Sequence, residues 1–353
     1  MSAAKVVFLS GIHVKGDEES CSSSSILFNH NELGKRSLED ILGIMCHQLR
    51  AMGHEAVWDP KNTQFLARGH GINFIVEGFT DRVDGGSIKV MADAHAQGAE
   101  FVIVATEEPT EKGFNYGSQK EMINRQEVFH KAAQYAVGIL HLVPGEHVTR
   151  WYSQFCPSAY AELGYAPSLM RPQYERPQFD FGFYGSVTPR RMKFLKKLAR
   201  RVGNVKLMGD FKDQTERDRQ MQKAKVLIQV RKFESMGLVS SSRCNTAISI
   251  GRPVIGEPHL LAEPWGSIAR FTQKPIVFTR PESGGIDALK AYEADFEVAF
   301  DEFVRLAQFA RGAWKELWND QMGKFKRLTP EVCIGEPLRR IGVLDGEGKR
   351  AAA

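Results

Sequence analysis

The chain has 353 residues, enough for two domains, and its 42% hydrophobic and 25% charged content is ordinary for a globular protein. Its net charge of +5 fits anionic small ligands but is too weak to argue for nucleic acid by itself. No apolar run reaches the roughly 18 residues of a membrane span, no signal-peptide layout opens the sequence, and the five scattered cysteines contain no C-x-x-C pair, which points away from a disulfide framework or a zinc site.

In chain order, Val6–Leu9 reads as a short buried strand, followed by a long polar loop over 13–35. Ser37 is expected to cap a helix, with Asp40 as its capping-box partner. Leu38, Ile41, Leu42, Met45 and Leu49 then recur at helical spacing up to Gly53. Strands are expected at Ile72–Val76, Phe101–Ala105 and Ile139–Val143, with helices over about 87–97 and 119–137. This alternation makes residues 1–166 one domain with a parallel sheet.

Three prolines in 167–178 mark a linker, after which the alternation restarts. Strands are expected at Phe179–Tyr184, Val205–Met208, Val226–Val230, Pro253–Ile255 and Pro275–Phe278. Helices are expected from Pro189 to Val202, over 214–224, from about Ser240 to Ile250, and through most of 286–328. Residues 179–330 form the second domain and 331–353 a tail, of which 346–353 is expected to be disordered. The fold class is therefore α/β, with two Rossmann-like doubly wound domains facing across a cleft.

In such sheets ligands bind beyond the carboxyl ends of the strands. Three loops of the second half fit that rule. Gly185, Ser186 and Arg190 follow one strand, where a glycine lets backbone approach a phosphate and an arginine can neutralise it. Gly209 ends the next strand. Glu234, Ser241, Ser242 and Arg243 surround a helix start, where a carboxylate can accept ribose hydroxyls and the serines and arginine can hold a diphosphate. Each has a plainer reading as a turn, a cap or a solvated charge. In the first half, Glu107, Glu77, His13 and Asp17 lie after strands and are candidate general bases. Gly11, Phe114, Asn115 and Tyr116 are candidate acceptor-binding residues, although the aromatic rings could equally pin their loop to the core.

Several motifs are absent: G-x-G-x-x-G after the first strand, the phosphate loop of nucleoside triphosphatases, G-x-S-x-G, D-x-D and H-E-x-x-H. No cofactor or metal is expected. A diphosphate would be handled by arginine, lysine and helix dipoles.

The segments FYGSVTPRRMKFLKKL (183–198) and AKVLIQV…FESMGLVSSSRCNTAISIGRPVIGE (224–257), with INFIVEGF (72–79) and ATEEPTEKGFN (105–115), resemble bacterial glycosyltransferases of the GT-B fold. The resemblance implies a metal-independent transfer of sugar from a nucleotide-diphosphate sugar. The acceptor hydroxyl would belong to a glycan, glycolipid, protein or small molecule. It implies that Glu234 holds ribose and that Ser241, Ser242 and Arg243 hold the diphosphate. Retaining members often carry two glutamates seven residues apart; here Ser242 stands eight positions after Glu234, which favours an inverting mechanism. A nucleotide-sugar epimerase and a non-catalytic nucleotide-sugar-binding protein are the alternatives, and a DNA-modifying sugar transferase is a narrower variant of the main reading. A cytoplasmic location is expected, with no membrane span and no nucleic-acid partner.

Overall fold

The computed structural model describes residues 5–9, 32–58, 65–66, 70–77, 79, 87–111, 113–114, 120–172, 176–209, 211, 213–232, 234, 238–260, 263–281, 283 and 285–344, with the side chains of 5–9, 32–39 and 120–124 left aside. Gly11, His13, Asp17, Asn115 and Tyr116 lie outside the described residues. The chain divides into two units, Met1–Leu169 with Leu328–Ala353, and Met170–Arg327.

The first unit carries β1 (Lys5–Leu9), α1 (Glu32–Ala51), β2 (Glu55–Trp58), β3 (Ile72–Val76), α2 (Ser87–Ala96), β4 (Phe101–Ala105), a small hairpin of β5 (Pro109–Thr110) and β6 (Gly113–Phe114), α3 (Lys120–Ala133), β7 (Ala136–His141), α4 (Glu146–Tyr152) and β8 (Ser158–Tyr160). The main sheet has the order β2-β1-β3-β4-β7-β8, and every pairing in it is parallel. β3 and β4 are buried at all five positions. That is why their sequences are continuous apolar runs rather than alternating ones.

Three expectations for this unit need correcting. The helix expected to start at Ser37 begins at Glu32, so Ser37 lies inside α1 and not at its cap. Leu33, Lys35 and Arg36 have good helix propensity and carry the first turn forward of the serine. The strand expected at 139–143 starts earlier, because pairing with β4 begins at Ala136. β2 was not expected. It is a four-residue edge strand with only Ala56 buried, so it lacks the apolar run that signals a central strand.

The second unit carries β9 (Phe179–Tyr184), α5 (Pro189–Val202), β10 (Val205–Met208), α6 (Gln214–Gln222), β11 (Ala224–Gln229), α7 (Ser241–Ser249), β12 (Val254–Gly256), α8 (Trp265–Ile268), β13 (Arg270–Phe271), α9 (Gly285–Gly312) and α10 (Trp314–Phe325). Its sheet, β10-β9-β11-β12-β13, is also wholly parallel. α5 opens with Pro189, and the Thr188 hydroxyl accepts from the Arg191 N–H at 3.3 Å. Proline suits a first helical turn because its missing N–H would have no helical partner there. Phe194, Leu195 and Leu198 of α5 and Phe300, Phe303 and Ala307 of α9 close one face of the sheet. The strand expected at 275–278 does not form. The N–H groups of Phe278 and Thr279 are taken by the Glu234 carboxylate instead of a ladder partner.

The expected tail is also corrected. A π-helical turn over Glu331–Gly335 and α11 (Glu336–Arg340) belong to the first unit. Ile334, Leu338, Ile341 and Val343 join its core. Two glycines make room for this segment. A Cβ on Gly164 would meet Cys333 Sγ, and one on Gly138 would meet Ile341. Leu338 is fully buried, so Leu338→Ala should destabilise the first unit by about 2–5 kcal/mol, read by urea unfolding. A loss below about 0.5 kcal/mol would mean that the segment merely rests on the surface.

Candidate functional site

In both sheets the second strand lies on one side of the first and the third on the other. The chain therefore reverses direction between β1 and β3 in one unit and between β9 and β11 in the other. The crevice beyond the carboxyl ends of two such strands is the usual ligand position of an open α/β sheet. Each unit places ionisable groups there.

In the second unit, Gly185 and Ser186 follow β9, and Arg231 and Glu234 follow β11. Arg190 and Arg191 come from the first turn of α5, Arg243 from that of α7, and Glu257 follows β12. Glu257 is fully buried. It pairs with Arg190 through two bonds of 2.7 and 2.6 Å and accepts the Arg231 N–H at 2.6 Å. Arg190 also donates to the carbonyls of Arg231 and Ile276. It was expected to meet phosphate, but its fork is engaged internally and knits three loops together.

The other guanidiniums are differently placed. Arg191 is buried and donates to the Val230 carbonyl and to both oxygens of Ser186. Arg231 donates to the carbonyls of Pro258 and Glu234. Arg243 donates to the Tyr184 carbonyl at 3.2 Å. Among the described residues, neither Arg191 nor Arg243 has a carboxylate within ion-pair distance. Burial, followed by the Arg243 charge, pushes Arg191 down to about 9. Burial also lowers Arg231 and Arg243. His259 stands beside them with its ring buried against the Leu238 backbone. Burial first, then Arg231 and Arg243, pushes it down to about 3, so it is neutral at pH 7. Glu257 acts on Arg191 and Arg231 and Glu234 on Arg231, but no carboxylate among the described residues acts on Arg243, so the cluster keeps an excess of positive charge.

Ser240 caps α7 without a side-chain bond to the helix, so the α7 N–H groups keep no side-chain acceptor at the cap. Ser241 and Ser242 occupy its first turn, with Ser242 Oγ 3.5 Å from Ser240 Oγ. Gly185 has φ of +144°, and a Cβ there would come within 2.5 Å of Arg243 Nη1. The glycine thus admits the guanidinium to the Tyr184 carbonyl. Glu234 is half-buried. Burial works against its charge, but bonds from the Thr279 side chain and from the Phe278 and Thr279 N–H groups outweigh this and lower its pKa. A Cβ on Gly209, just past β10, would meet no atom of the described residues within 4 Å. Glu257, Arg231 and His259 escaped the sequence reading. Glu257 and His259 flank Pro258 just after a short apolar strand, so their position at a strand end was the available signal.

In the first unit, Glu77 follows β3 and Glu107 follows β4. Glu77 Oε1 accepts from both the Thr106 N–H and hydroxyl at 2.6 Å, while its Oε2 is buried with no partner among the described residues. Burial, reinforced by the Glu107 charge, raises Glu77 to about 8, so the carboxyl is mainly protonated at pH 7. The orphaned Oε2 is the natural seat of that proton. Glu107, more exposed, pairs with Arg125 at 3.0 Å. Phe114 is 2% exposed and packs edge-on against Phe129 and Trp151. It was expected to offer a stacking face to an acceptor, but both its burial and the Arg125 guanidinium 5.6 Å from its ring centre make it a core residue. Among the described residues, no cluster of three or more His, Cys, Asp or Glu side chains could hold a metal ion, and no helix is long and apolar enough to cross a membrane.

No family model matches the sequence, and no curated protein matches it. Solved structures similar to the chain include the accessory secretory protein 1, 2 and 3 assembly of Streptococcus pneumoniae, at 7% identity and TM-score 0.42, covering 84% of this chain and 55% of that one. The spinosyn forosaminyltransferase is similar at 14% identity and TM-score 0.41, with 97% and 100% covered. The T4 phage β-glucosyltransferase is similar at 8% identity and TM-score 0.42, with 91% and 99% covered. The chain spans about half the length of the first of these.

Proposed function

We propose that the chain is a glycosyltransferase that moves a sugar from a nucleotide-diphosphate donor to an acceptor hydroxyl, without a metal and with inversion. The observation that carries this reading is the arginine cluster at the switch point of the second sheet, whose positive charges outnumber the carboxylates Glu257 and Glu234 beside it. Arg191, Arg243 and the open N-terminus of α7 together supply the positive charge that a leaving diphosphate needs. The Arg190–Glu257 pair acts one step back, by holding the loops in register. Glu234 is the candidate ribose ligand through whatever capacity its carboxylate retains beyond the Phe278 and Thr279 N–H groups. In the transfer, the acceptor oxygen bonds to the anomeric carbon as the bond from that carbon to the phosphate oxygen breaks. A carboxylate takes the hydroxyl proton. Glu107 suits that role better than Glu77, whose buried carboxyl already holds a proton at pH 7.

A thermal-shift screen of nucleoside diphosphates and nucleotide sugars, run with EDTA, tests the reading. Ligand at about 100 times its Kd should add about 2.7 kcal/mol to stability. No stabilisation by any of them would refute the donor class.

Glu77 also gives a pH prediction. Its folded pKa of about 8 lies above the ordinary 4.5, so the folded chain holds the proton more tightly than the unfolded one. The stability from this group is full below about pH 4.5 and is lost as pH rises through about 8. Glu77→Gln should remove that decline, which urea unfolding at pH 5 and pH 8.5 would show. An unchanged decline would place its origin elsewhere.

A further inference from the structure

The second unit has a second concentration of positive charge that the donor reading does not use. A cavity of about 660 Å³ opens between the outer face of α5, the segment around Phe278 and Arg280, and the start of α9. Six of its lining residues are cationic and two are acidic. Lys197 and Arg201 are paired with carboxylates of α9, and Arg280 with Glu293. Among the described residues, Lys193, Lys196 and Arg200 have no carboxylate within ion-pair distance. Their spacing of three and then four residues puts them on one helical face, spread over about 10 Å. The floor is aromatic. Lys193 Nζ lies 4.9 Å from the Phe278 ring centre and Lys197 Nζ 4.5 Å from that of Phe296, so the rings hold the ammonium groups at the wall.

We infer that this cavity binds a small, multiply phosphorylated molecule. Three unpaired cations along one wall match two or three phosphate groups. The volume lies within the roughly 300–1,000 Å³ range of small-molecule sites. Glu293 and Glu297 also line the cavity and disfavour a long polyanion running through it. The site is separate from the arginine cluster, although the two share Phe278, whose ring also faces Arg190.

Titration calorimetry with inorganic tripolyphosphate tests this in an Arg243→Ala background, which weakens the donor grip if that grip exists and is neutral here if it does not. One site should bind, and adding Lys193→Ala, Lys196→Ala and Arg200→Ala should raise its Kd at least tenfold. These side chains are exposed, and an unchanged far-UV circular dichroism spectrum confirms that the variant is folded. Absence of binding, or binding indifferent to the triple substitution, would overturn the inference. Duplex DNA or phosphatidylglycerol vesicles bound through these residues, with tripolyphosphate unbound, would overturn it in favour of a macromolecular surface.

Discussion

Glu257→Ala should destabilise the second unit by about 3–5 kcal/mol, the usual cost of removing one partner from a buried ion pair. Arg190 would keep its charge with no counter-ion, while the Arg231 N–H would lose its acceptor. Three loops depend on this one carboxylate: the turn before α5 through Arg190, the turn after β11 through Arg231, and the segment at Ile276 through Arg190 again. Removing both charges is a gentler change, because a well-packed apolar replacement leaves nothing charged and buried. The double variant Arg190→Met/Glu257→Leu should therefore recover most of the loss. Chemical unfolding of the three variants checks the point. A single-variant cost below about 1 kcal/mol would show that the pair does not anchor the loops.

Arg243→Ala should show the opposite pattern. Among the described residues, Arg243 makes one bond, to a carbonyl, and has no carboxylate within ion-pair distance. Its half-buried charge is a standing cost in the empty protein, so its removal should leave stability unchanged or slightly raised. Donor affinity should suffer, because hydrogen bonds to charged groups contribute about 1.5–3 kcal/mol, or roughly 10- to 150-fold in Kd. Arg243→Lys should not restore it, since an ammonium lacks the planar fork that reaches phosphate and carbonyl together. Gly185→Ala should act on the same contact from the other side, by pushing Arg243 Nη1 off the Tyr184 carbonyl. Equal losses of stability and affinity in Arg243→Ala would return the residue to a structural role.

Much of the fold was legible because buried parallel strands write themselves as apolar runs. Phe101–Ala105 and Phe179–Tyr184 could be read directly, and Pro189 after a strand marked the start of α5. Less legible was whatever depends on distant partners. The edge strand Glu55–Trp58 takes its identity from β1 and carries little apolar signal of its own. Pro275–Phe278 looks like a strand in sequence, yet its N–H groups are drawn to Glu234. The last residues looked like a tail because they are short and follow a helical region. Their partners lie more than a hundred residues upstream, where Gly138 and Gly164 make room for them.

The candidate site was legible in the same uneven way. Gly185, Glu234 and Arg243 stand next to strands, where an α/β sheet exposes its ligands. The roles within the cluster depend on pairing, which spacing does not reveal. Arg190 and Arg191 are neighbours in sequence, yet one is bonded to Glu257 and the other, among the described residues, forms no ion pair. Glu257 gives no motif, because its importance comes from burial beside Arg190. Phe114 failed as a contact residue for the related reason that a ring after a strand can close the core as readily as it can face a ligand.

The central claim is that the arginine cluster grips the diphosphate of a nucleotide donor without help from a metal. Titration calorimetry of matched nucleoside mono- and diphosphates in EDTA, into the unaltered chain and Arg243→Ala, tests it most directly. The expected result is that one diphosphate binds the unaltered chain at least tenfold more tightly than its monophosphate, and that this preference collapses in Arg243→Ala. Equal affinity for mono- and diphosphate, or a preference that survives the substitution, would contradict the account.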